Sequence, residues 1–108
     1  MENFIPIGGR QTINPQEVIS LKGEINYTTV HFQQGKKNVT VATTLKRIEE
    51  RLEDYPNFFR VSRSVIINMN CIKRIKNNKI YLINGEKVVP SRRRAKDFYG
   101  QFESNNRA

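Results

Sequence analysis

The chain has no tryptophan, one cysteine, one histidine and no unbroken apolar run longer than the four residues Ile80–Ile83. Each scarcity closes off a class of protein. A run of four falls far short of the roughly 20 apolar residues a helix needs to cross a bilayer, so no membrane partner is expected. A single cysteine, Cys71, forms no internal disulfide. It reads as a buried small side chain in a protein of the reducing cytoplasm. One histidine, His31, and no cluster of Cys, His or carboxylates leave too few ligands for a metal, and no cofactor is expected. Asp54 or Asp97 could complete a Ser–His–Asp set with His31 on paper, but no spacing supports it, so an enzyme is not expected. Gly8-Gly9 reads as a turn rather than a phosphate-cradling loop. The start, Met1-Glu2-Asn3-Phe4, has neither the basic residue nor the apolar stretch of a signal peptide.

Acidic residues are scarce as well, and unevenly so. Lys and Arg total 19 against 10 acids in 108 residues, a net charge of +9. Residues 1–54 hold seven basic and seven acidic side chains, and residues 55–108 hold twelve and three. The whole excess therefore sits in the second half, where it creates a field that draws polyanions. By itself that charge fits DNA, RNA, an anionic membrane or plain solubility. The length fits one domain over residues 1–108, with a core over about 18–102, a short extension at 1–17 and frayed residues at 103–108. A hydrophobic fraction of 37% is low for a globular chain but too high for a disordered one.

Alternation of apolar and polar residues dominates the pattern. Short strands are predicted near Phe4–Ile7 and Arg10–Ile13, then a turn or single helical turn at Asn14–Glu17. Val18–Lys22 and Tyr27–Phe32 read as strands around the turn-rich Gly23–Asn26, and Gln34-Gly35-Lys36 closes a hairpin onto Val39–Ala42. Leu45, Ile48 and Leu52 then follow helical spacing, with Thr43 or Thr44 as N-cap and an end before Pro56. Phe58–Val61 reads as a strand, while Val65–Ile67 fits a strand or a helix. Ile72–Lys76 and Lys79–Ile83 flank Asn77-Asn78, and Asn84-Gly85 predicts a two-residue hairpin turn into Lys87–Val89. Pro90-Ser91 opens a last helix whose Ala95, Phe98, Tyr99 and Phe102 share a face. The expected fold is mainly β with two helices.

Two basic stretches stand out. Arg92, Arg93 and Arg94 fall at the start of the last helix, where the helix dipole disfavours cations by a few tenths of a kcal/mol each. A phosphate backbone would neutralise them, and arginine pairs bidentately with guanine or phosphate. A solvated cluster is the plain alternative. In Phe59–Ser64, guanidinium and hydroxyl groups alternate, a common phosphate-contacting set. The plain alternative is that Arg60 braces the fold through a carboxylate while Ser64 caps a short helical turn; Arg60 is read as that brace, whereas Arg63 reads as a contact with nucleic acid. A basic RNA-binding or protein-interaction module is the main alternative. Its stacking rings would have to come from Phe58, Phe59, Tyr81, Phe98, Tyr99 and Phe102, and the spacing sends most of these to the core.

Order and residue type together resemble a known family. Val18–Tyr99, about three-quarters of the chain, is similar to a LytTR DNA-binding domain. A strand pair around Asn26-Tyr27 comes first, then the Leu45, Ile48, Leu52 helix. Phe58-Phe59-Arg60-Val61-Ser62-Arg63-Ser64-Val65-Ile66-Ile67-Asn68 follows, then Asn84-Gly85, and last Val89-Pro90-Ser91-Arg92-Arg93. Ser62 stands where the family usually has histidine. The resemblance implies an elongated β domain of stacked small antiparallel sheets that places loops in successive major grooves of double-stranded DNA. It also implies a bacterial, response-regulator-like transcription regulator, here stand-alone, that bends paired direct-repeat sites and can meet a second copy on DNA. Carried across by position, base contacts fall to Asn26, Arg63 and Arg92 or Arg93. Phosphate contacts fall to Arg60, Ser62, Ser64, Lys73, Arg74 and Arg94.

Overall fold

A computed structural model describes residues 4–106. The expected fraying of Met1–Asn3, Arg107 and Ala108 lies outside the described residues. Strands β1 (Ile5–Gly8) and β2 (Gln11–Ile13) form a hairpin, and a 3-10 turn over Pro15–Glu17 is capped by the Asn14 side chain. Strands β3 (Val18–Glu24), β4 (Tyr27–Phe32), β5 (Val39–Val41), β6 (Phe58–Ser62) and β7 (Val65–Asn68) make an antiparallel sheet in the order β5-β4-β3-β7-β6. Strands β8 (Ile72–Lys76), β9 (Lys79–Leu82) and β10 (Lys87–Val88) form a second sheet in the order β10-β9-β8. Helix α1 is Leu45–Arg51, with the Thr44 hydroxyl accepting from Arg47 N, and α2 is Arg92–Asn106.

The central sheet is covered on both faces over β3, β7 and β6, because these strands supply two sets of apolar residues, while β4 and β5 bury one face only. Val18, Leu21, Val30, Phe58 and Ile66 face α1 and the β1–β2 hairpin, whose Ile5, Ile7 and Ile13 complete that core. Residues expected to form only an extension thus contribute to the interior. On the other face Ile19, Val61 and Ile67 meet Ile80, Leu82 and Val88 of the small sheet and Phe98 of α2. A bulge in β3 between Val18 and Ser20 inserts one residue, so Val18 and Leu21 share a face despite their odd spacing. Val65–Ile67, ambiguous in sequence, is strand β7. It lies between β3 and β6, where both faces are covered and alternation disappears.

Three expectations need adjusting. The turn after β3 tightens to Ile25-Asn26, because the strand continues through Gly23 and Glu24. Asn84-Gly85 is not a two-residue turn. Gly85 N donates to Leu82 O at 3.0 Å and Leu82 N to Glu86 O at 2.9 Å, so three residues make the loop, with Gly85 at φ 89° supplying the left-handed position. The two-residue turn is instead Asn77-Asn78, both residues at positive φ (53° and 62°). Finally, α2 runs on to Asn106, through residues expected to fray.

Candidate nucleic-acid interface

Antiparallel pairing brings the turns of interest to one end of the central sheet. Strands β3 and β7 are neighbours in register, with Lys22 opposite Val65. The Ile25-Asn26 turn that ends β3 therefore lies beside the Arg63-Ser64 turn that begins β7. Gly23 N donates to Ser64 O at 2.8 Å and ties the two together. On the far side of β6, Ser91 N donates to Val61 O at 2.8 Å, which sets the start of α2 beside the same end. The helix then runs back along β6, where Gln101 Nε2 donates to Pro56 O at 2.9 Å. Asn26, Arg63 and Arg92-Arg93 thus form one row. With strands spaced ~4.8 Å, the two turns are about 10 Å apart.

Arg60 holds that row together from within. Its guanidinium pairs with Glu49 Oε1 of α1 at 2.9 Å, donates through Nε to Ser62 O at 3.3 Å, and donates through Nη2 to Arg63 O. Arg94 Nη1 donates to Arg60 O at 3.2 Å, linking α2 to the same strand. Ser62 Oγ accepts from Ser64 N at 3.3 Å, so the residue standing in the family's usual histidine position shapes the turn. By contrast Arg63, Arg92, Arg93 and Asn26 are exposed, and among the described residues none of these arginines makes an ion pair. The first turn of α2 contains no acid to offset its arginines.

Lys73 and Arg74 lie elsewhere. Both are exposed on β8 of the small sheet, Arg74 over the Tyr81 ring at 4.8 Å. Two apolar residues at the row went unnoticed in the sequence. Ile25 is 91% exposed at the tip of its turn and Tyr27 follows it, 54% exposed. The signal was there: an isoleucine between Glu24 and Asn26 in a polar turn has no core to join. The rings that an RNA-stacking surface would need lie largely in or against the core, where their spacing assigns them. Phe98 is fully buried, edge-on to Phe59 at 5.6 Å and Tyr99 at 5.1 Å, and stacked with Phe102 at 5.9 Å. Cys71 is buried too, and burial pushes its thiol pKa up, so it is poorly ionised. No group of three or more Cys, His, Asp or Glu among the described residues could hold a metal.

Residues 9–103 match the LytTr DNA-binding domain family. The chain belongs to that family. Membership makes it a DNA-binding protein of transcription regulation, with double-stranded DNA as partner, in a family that is not enzymatic. The fold agrees with that of the LytTr DNA-binding domain of a methyl-accepting/DNA response regulator from Bacillus cereus. That structure has a TM-score of 0.71 and 23% identity, over 93% of this chain and 94% of that one. No curated protein matches this LytTr chain in sequence. No helix among its described residues is long and apolar enough to cross a membrane.

Proposed function

We propose that the row of loops at the end of the central sheet reads base pairs of duplex DNA in the major groove, making the chain a sequence-specific transcription regulator. The observation that carries this reading is the gathering of Asn26, Arg63 and Arg92-Arg93, all exposed, at one end of the central sheet. Arg63 and Arg93 take guanine edges, Asn26 an adenine edge, and Ile25 packs on a thymine methyl, each residue matched to the group it is shaped for. Of the paired arginines, Arg93 is the reader and Arg92 lies against backbone phosphate. Ser64 contacts phosphate beside them. Arg60, Ser62 and Arg94 act by holding the turn and the helix in place. Lys73 and Arg74 add phosphate attraction from the small sheet.

A single row spans a limited tract, so the reading also assigns the chain to paired direct-repeat sites, with a second copy on the second repeat. Selection of bound duplexes from a random library tests this. The expected outcome is one motif recurring in two copies about one helical turn, or a multiple of it, apart. Enrichment without a motif overturns sequence-specific reading and favours a nonspecific or RNA-binding protein.

A further inference from the structure

We propose a second DNA contact outside the reading row. It is a basic flank, built from the outer side of β8–β10 and the adjoining turn of α2, that holds phosphates beyond the base-read pairs on the α2 side only. This rests on the reading of the row given above. From Ile72 to Val88 the chain carries Lys73, Arg74, Lys76, Lys79 and Lys87, all exposed. The one acid of that segment, Glu86, is turned away from them. It pairs with Lys22 and accepts from Ser20 Oγ at 3.0 Å and Asn84 Nδ2 at 2.7 Å. The outer side therefore keeps its positive charge uncompensated.

Its position joins it to the row. Tyr99 Oη donates to Asn78 Oδ1 at 2.8 Å, so the β8–β9 turn, with Lys76 and Lys79 beside it, is docked on α2. Tyr99 follows Arg92 by about 10 Å along the helix, and Lys96 lies exposed between them. Arg92, Lys96, Lys76 and Lys79 thus carry positive charge from the row down one flank, with the exposed Asp97 the one acid of that helix turn. The opposite end of the row has no such extension. Glu24 stands two residues before Asn26, and Lys46 and Arg47 of α1 share their helix with Glu50 as well as with Glu49, the partner of Arg60. Tyr81 on the outer side of the sheet is covered by Arg74, and Tyr99 is packed edge-on against Phe98, so the surface fits the regular phosphates of a duplex rather than stacked single-strand bases.

The test uses a duplex bearing the selected motif, extended by about ten base pairs, one helical turn, on one side at a time. The change in preference caused by Arg93→Ala marks which side α2 reads. Extension on that side strengthens wild-type binding severalfold, and extension on the other side does not. In the triple variant Lys76→Gln, Lys79→Gln, Lys87→Gln the motif is retained, the gain disappears, and the slope of log K against log salt falls by about 2 to 3. If the triple variant does not fold by circular dichroism, the single variants each lower the slope by about 1. Equal gain on both sides, or an unchanged slope, overturns the flank. Failure of the wild type to select any motif overturns the reading of the row instead.

Discussion

Arg60 and Arg63 stand three residues apart in one basic stretch, yet their surroundings assign them different work. Arg60 is drawn into the fold by Glu49 and two backbone carbonyls, while Arg63 projects from the turn those bonds shape. Hydrogen bonds to charged groups contribute about 1.5–3 kcal/mol each in favourable cases. Arg60→Ala should therefore lower stability by about 2 kcal/mol in urea denaturation and abolish the preference for the selected duplex. Arg60→Lys keeps the pair with Glu49 but cannot hold both carbonyls, so stability recovers further than selectivity does. Arg63→Ala should behave in the reverse manner. Stability stays within about 0.5 kcal/mol of wild type, and mobility shifts show about 1–3 kcal/mol of lost discrimination. The sequence permitted a brace at Arg60 but could not name its partner, because Glu49 lies on a helix that reaches β6 only through tertiary packing.

Helix α1 approaches the reading end closely because β3 carries glycine there. A Cβ at Gly23 would sit 2.8 Å from Leu45 Cβ and 3.3 Å from Leu45 Cδ2. Gly23→Ala must therefore push α1 off the sheet beside the Ile25-Asn26 turn, at about 1–3 kcal/mol as an overpacking change, measured as a lower urea midpoint. The β9–β10 loop is pinned to β3 through Glu86. Burial alone pushes that carboxyl up, but hydrogen bonds from Asn84, Lys22 and Ser20 and the charge of Lys22 outweigh it and hold the pKa below the ordinary value. A lowered folded pKa means this group's stabilisation is fully present above the ordinary value of 4.5 and is lost as pH falls below it. Wild type should be more stable than Glu86→Gln at neutral pH, with the gap closing on acidification past that point. Element types were legible from alternation and helical spacing. The gaps came where periodicity stops informing: β7 is covered on both faces, and the Asn84-Gly85 loop takes in Ile83 as a third residue, which the local signal does not show.

The whole molecule measures 38 × 33 × 25 Å, and its longest dimension is about one helical turn of duplex, ~34–36 Å. One copy therefore covers at most about one turn, which is why paired sites accompany the proposed reading. The charge bias toward the second half was visible in sequence, but charge alone only named an anion as partner. The row of Asn26, Arg63 and Arg93 exists because β3–β7 pairing and the docking of α2 on β6 bring together positions 26, 63 and 93, which no local pattern joins. That row is tested most directly by comparing base-preference profiles of wild type, Arg63→Ala and Arg93→Ala, each obtained by selection from the same random duplex library. Each variant is expected to stay folded and to lose preference at its own small group of adjacent base pairs while retaining the rest of the motif. Wild-type profiles in both variants would contradict that expectation.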